Sequence, residues 1–501
     1  MLALLQFDAA ALPVIDRMLA EGRLPVLAEL RRQGHWHTID AAATVLQSST
    51  YPTLYTGVDV RRHGIYSTYP WSPHDQRSRH VRSVATPRTI WERLTEAGSR
   101  ALIVDPYISW PPGEMAGVFL SGWQFEDRMT LRAGSVPREV RPALVRRHGR
   151  PPRLDDVYGT RQIDGLTREL DRLVAAPGRT AQAVIELLRR EPFDVVWVTF
   201  AAAHKAGHQL WGDLPEGLEA VYVAVDRALG RIVAELPSGS DVLAFSPTGM
   251  GPNTSRAELL PGMLSRILAG DTVAEGGSGA PIWGLRAAVP PGIRAAAALA
   301  LPDRLIADLT TRLHARADWS RTRAFTVAGE NKGYIRLNLR GRERDGIVAE
   351  TEAAGLLDTI ADGLVGWSDP DGGASVTEVI RMADLADGDP VSPMLPDLVV
   401  VWGEAPAEAI THVTSQRYGT VSRSGGGSGR AGNHVDDAWA LVVPGAAQPR
   451  KLGRPPRITD IGATACALFG ADVTGLSGES LLEWPSRQPQ TRNRRHERAV
   501  T

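Results

Sequence analysis

The chain is 501 residues long, 43% hydrophobic, and carries 56 basic against 57 acidic residues for a formal net charge of -1. That supports a large buried core, as one domain with a substantial insertion or as two domains, and argues against nucleic acid or an anionic membrane as the main partner. The single cysteine, Cys466, excludes an internal disulfide framework and any thiolate zinc cluster, and reads as a core residue of a helix.

The N-terminal Met1 to Phe7 has no basic n-region, and no stretch is long and apolar enough to span a bilayer, so the expectation is a soluble cytoplasmic protein. Leu2 to Phe7 reads as a strand ending at Asp8, followed by an amphipathic helical pattern through Leu30. A carboxylate at the end of an α/β strand sits where ligands and ions bind, although an Asp there also caps a following helix. In Gln47-Ser-Ser-Thr-Tyr-Pro52, hydroxyl residues ahead of a proline suggest an N-cap and a short helix. Strand-like segments follow at Ala101 to Val104 and Val118 to Leu120, and a helical pattern fills Ile163 to Leu188.

Phe193 to His208 is then an apolar, β-branched run ending in His204 and His208, four residues apart. A buried strand running into a first helical turn with two imidazoles on one face is how a metal site is presented, though the same spacing also arises without a metal. A helical pattern from Leu218 to Leu236 and a strand from Asp241 to Phe245 continue the alternation. Repeated β-then-α order predicts an α/β fold: a doubly wound, mostly parallel sheet flanked by helices.

The order of motifs resembles the alkaline phosphatase superfamily, in its type I phosphodiesterase/nucleotide pyrophosphatase-like branch. The residues carrying the resemblance are Asp8, the hydroxyl cluster with Thr56-Gly57, His63-Gly64-Ile65, His204 and His208, Ser246 to Gly251, Gly333 to Arg342, Pro396 to Val400, and Gly432-Asn-His434. The resemblance implies a metal-dependent hydrolase or group transferase acting on a small anionic phosphoester or phosphodiester, with its metal site at the carboxyl edge of the sheet. It also implies a division into core residues 1–252, an inserted cap at 253–323 that Trp283 and Trp319 would line, and closing core residues 324–484; the Arg/Gln/Pro-rich composition of 485–501 reads as a disordered tail.

This sequence departs from the family pattern where that pattern is most demanding. His204 stands where the first metal site has an Asp, so that site would read His204, His208 and His434, a competent mononuclear zinc site. Pro247 and Thr248 stand where the second site has an Asp-His pair, leaving Asp8 as its one charged ligand and a second divalent ion weakly held or absent. Counting back from Thr56-Gly57 without a gap puts the nucleophile position on Gln47, which cannot attack; a three-residue shift puts it on Thr50, with Ser48 and Ser49 as alternatives. A zinc-bound water is a further candidate, with Asp8 as its base or orienting group. Lys205, Lys332, Arg340, Arg342 and Thr248 are candidate substrate-holding groups. A hydrolase for a non-phosphate bond, and a degenerate binding protein, are the other readings open at this level. Oligomeric state is not readable.

Overall fold

The computed structural model describes residues 1–40, 45–109, 111–126, 133–154, 163–268, 318–329, 331–385, 391–423 and 429–485. Most of the expected cap, from 269 to 317 and including Trp283, and the tail from 486 onward lie outside the described residues.

The main sheet uses β1 (Leu2–Gln6), β2 (His35–Thr38), β3 (Ala101–Val104), β4 (Gly117–Ser121), β5 (Gly134–Val136), β6 (Val195–Thr199), β7 (Asp241–Ser246) and, after a separate ribbon and a second sheet, β14 (Trp439–Val443). Its order is β2-β14-β7-β1-β6-β3-β4-β5. The five central strands from β7 to β4 are parallel; at one edge β14 runs antiparallel to β7 and β2 pairs antiparallel to β14, returning to the central direction, and at the other edge β5 runs antiparallel to β4. The central strands read as unbroken apolar runs because both faces are covered.

Alternate side chains sort cleanly between the two faces. Leu5, Leu102, Val104, Val196, Val198 and Ala244 pack on one side, beneath helices α1 (Leu12–Ala20), α2 (Pro25–Gln33), α5 (Ile163–Leu188) and α7 (Pro215–Val233). Leu2, Leu4, Ile103, Trp197 and Leu243 pack on the other, beneath α3 (Thr50–Thr56), α4 (Ile90–Glu96) and α9 (Ile458–Leu468), where Cys466 is fully buried. The single helical pattern expected from Asp8 to Leu30 is two helices: Gly22 turns the chain with φ of 69° and Pro25 opens the second.

A ribbon of β8 (Gly249–Pro252) and β13 (Gly432–Val435) rises from the carboxyl end of β7. A second, antiparallel sheet combines β9 (Ala324–Val327), β10 (Gly333–Leu337), β11 (Val376–Arg381) and β12 (Leu398–Trp402), and packs against α8 (Glu350–Val365). Trp319 packs edge-on against Trp71 and Phe325 rather than standing alone. Among the described residues no helix is long and apolar enough to cross a membrane.

Candidate metal site

Three of the central strands deliver the site. β1 ends two residues before Asp8, β6 runs into α6 (Ala201–Leu210), which carries His204 and His208 one turn apart, and β7 leads through Ser246 and Thr248 to the ribbon holding His434. These are carboxyl ends of parallel strands, where α/β sheets open a crevice. Two glycines let α6 and the ribbon approach. A Cβ on Gly432 would lie 2.2 Å from the Gly207 carbonyl oxygen, and one on Gly207 would lie 2.6 Å from the Met250 side chain.

His204, His208 and His434 are all buried and offer ring nitrogens lying within 4.8 Å of one another, the one such cluster of three or more His, Cys, Asp or Glu among the described residues. His208 donates from Nδ1 to the Gly432 carbonyl at 2.8 Å, and burial holds its pKa well below the usual imidazole value. It is therefore neutral, with a lone pair on Nε2. His204 has Nδ1 2.9 Å from the Asp8 carboxylate, and its Nε2 faces His208 Nε2 at 3.0 Å. If Asp8 accepts the His204 Nδ1 proton, two lone pairs face each other across that gap, an arrangement that calls for a cation between them. Three imidazoles, two of them oriented through the opposite ring nitrogen by a carboxylate and a carbonyl, fit zinc in both donor type and support.

Asp8 is fully buried and belongs to this support. Its carboxylate accepts from Gln6 Nε2 at 2.8 Å and from the Tyr51 hydroxyl at 3.2 Å to each oxygen. Gln6 Oε1 in turn accepts from Trp197 Nε1 and Thr199 Oγ1. Burial lifts the Asp8 carboxyl to about 6, with the Gln6 hydrogen bond and neighbouring His434 opposing the rise. Expected as a ligand, Asp8 lies on the far ring nitrogen of His204 and outside the three-histidine cluster. Tyr51, not singled out in the sequence, stands 2.9 Å from His204 Nδ1 and in stacked orientation to its ring.

Gln47, Ser48, Tyr51, Thr68, Tyr107, Ile108, His204, Thr248, Arg430 and His434 enclose a cavity of about 40 Å³. Thr248 is among the lining residues, and its hydroxyl donates to the Val435 carbonyl. The neighbouring Ser246 hydroxyl is likewise held, accepting from the Ala10 amide and donating to the Thr248 carbonyl. Thr50, favoured as a nucleophile, is fully buried; its hydroxyl donates to the Gln47 carbonyl at 2.8 Å, as helical threonines do, and it does not line the cavity. Lys205 holds its ammonium 5.5 Å over the Tyr107 ring, itself packed on His204. Lys332 is half-buried beside Asn331, whose side chain donates to the His434 carbonyl. Arg342 is bound to Asp397 and Glu343, and Arg340 is exposed, so neither lines the cavity. Arg430 is the cation that the sequence reading passed over, and its charge is felt at His208. His63 pairs with Thr53 and accepts from the Ile65 amide, with burial pulling its pKa to about 4.

The model of the family described as type I phosphodiesterase / nucleotide pyrophosphatase matches residues 2–304. Among solved structures, phosphonoacetate hydrolase from Sinorhizobium meliloti 1021 is similar at a TM-score of 0.51 and 15% identity, over 94% of this chain and 95% of that one. The alkaline phosphatase PafA is similar at 0.50 and 12%, over 96% and 98%. At these identities the likeness is one of fold. No curated protein sequence matches.

Proposed function

The chain belongs to the type I phosphodiesterase / nucleotide pyrophosphatase family, a family of metal-dependent phosphoester hydrolases, and from that premise we propose that it works with a single zinc ion held by His204, His208 and His434 on a small anionic phosphoester. The observation that carries this reading is the 3.0 Å approach of His204 Nε2 to His208 Nε2 while both Nδ1 atoms are engaged elsewhere. When bound, the ion supplies Lewis acidity to the reacting phosphoryl group.

The chain's own groups divide the remaining work. Asp8 and Tyr51 fix the His204 ring, and the Gly432 carbonyl fixes that of His208. Arg430 and Lys205 place positive charge at and beside the cavity, where a phosphoryl group brings negative charge. The Ser246 and Thr248 hydroxyls are taken up by backbone groups and Pro247 has no ligand to offer, which favours one ion over two. The cavity admits a phosphoryl-sized group rather than a whole nucleotide, so a larger substrate enters by its anionic end.

Metal analysis of the purified protein tests the proposal. Close to one zinc per chain is expected, lost on His208→Ala or His434→Ala; two tightly bound ions, or none, would sink it. Hydrolysis of aryl phosphodiesters and monoesters by the zinc-loaded protein then separates an enzyme from a binding protein.

A further inference from the structure

We infer that the attacking oxygen at this site belongs to a water molecule held by Gln47, so that the phosphoester is cleaved in one in-line displacement with no covalent enzyme intermediate. The inference rests on the phosphoester reading above.

Gln47 is 5% exposed and lines the cavity beside His204, His434, Thr248 and Arg430, yet its side-chain oxygen Oε1 has no hydrogen-bond partner among the described residues. Leaving a buried amide oxygen unsatisfied costs about 1–3 kcal/mol, so the cavity must supply it with a donor when occupied. A phosphate ester does not meet that need, because the oxygens of its ionised phosphoryl group only accept. Water does. One of its protons satisfies Oε1 while its lone pair is left to face phosphorus. The cavity volume, about 40 Å³, exceeds the roughly 10–15 Å³ that one ordered water requires.

The neighbouring hydroxyls are less suited. Thr50 is spent on the Gln47 carbonyl, and Ser49 is fully buried and does not line the cavity. Ser48 is the lining hydroxyl on this segment, and it is the competitor the test must separate.

In the step inferred, the bond formed joins the water oxygen to phosphorus and the bond broken joins phosphorus to the leaving oxygen. One water proton stays on the new phosphate and the other goes to the departing alkoxide. The amide holds and aims the water without changing its own charge, so it needs no pKa near neutrality.

The stereochemical course decides the matter. With a phosphorothioate aryl diester of known configuration hydrolysed in oxygen-isotope-labelled water by the zinc-loaded wild-type protein, configuration at phosphorus is expected to invert, and acid-quenched protein is expected to carry no phosphoryl adduct on the peptide containing residues 47–50. Retention, or a phosphoserine trapped at Ser48, would overturn the inference while leaving the phosphoester reading intact; no hydrolysis at all would remove both. Gln47→Met, close in volume but unable to accept the bond, is expected to lower kcat about a hundredfold with zinc content and thermal midpoint unchanged. Gln47→Glu, which keeps an acceptor oxygen, should recover part of that loss. Equal loss in both variants counts against the role.

Discussion

Replacing Asp8 with Asn separates an orienting carboxylate from a metal ligand. The Asp8 to His204 contact is 2.9 Å long between groups that are 0% and 2% exposed, so solvent screening is slight. Asn keeps the shape and an acceptor oxygen but removes the charge, turning a charge-assisted bond into a neutral one, a difference of about 1.4 kcal/mol. That corresponds to roughly tenfold in zinc affinity. Asp8→Ala also strands the Gln6 amide and the Tyr51 hydroxyl, and should move the loss to roughly a hundredfold, the upper end for an orienting partner of a metal ligand. Competition with a chromophoric chelator measures both. A fall in stoichiometry from two ions to one would refute the reasoning, since Asp8 would then be a ligand, and so would an unchanged affinity.

Three other outcomes are expected. Gly432→Ala puts a methyl 2.2 Å from the Gly207 carbonyl, so backbone must move; unfolding in urea should show a loss of about 1–3 kcal/mol, and zinc affinity should fall with it. Tyr51→Phe removes one bond to each Asp8 oxygen and should weaken zinc binding by less than Asp8→Asn does, by calorimetry. Asp105 is fully buried, accepts from the Trp123 and Gln124 amides, and has its carboxyl raised from 3.8 to about 6 by burial. The native state therefore keeps a proton that the unfolded chain has already lost between about pH 4 and 6. Stability should fall as pH rises through that window, by up to about 3 kcal/mol from this group, and level off above it. Asp105→Asn should flatten the slope in urea titrations at pH 4.5 and 7.

The central strands and the histidine pair were legible because their signals are local. An unbroken β-branched run can only be a strand buried on both faces, and four residues of helix put His204 and His208 on one side whatever surrounds them. His434 entered through the order of motifs, and the ribbon pairing β13 with β8 is what carries it to the cluster. Near Gln47 less was legible, since spacing alone does not say which member of Gln47-Ser-Ser-Thr-Tyr51 faces inward. A 3-10 turn at Gln47–Ser49 followed by a helix turns Gln47 and Tyr51 to the cavity and Thr50 into the backbone. For Arg342 the limit was distance: its partner, Asp397, lies 55 positions away, and nothing in a run of arginines announces it.

The bond from His208 to the Gly432 carbonyl spans 224 positions, and the third histidine follows Gly432 by two. A chain stopped anywhere before the closing ribbon would hold two imidazoles with one of them unoriented. Under the proposed zinc reading, capture of the ion reports on completion: it registers that the closing ribbon has docked on the early strands, and by mass action it then tightens the join between them.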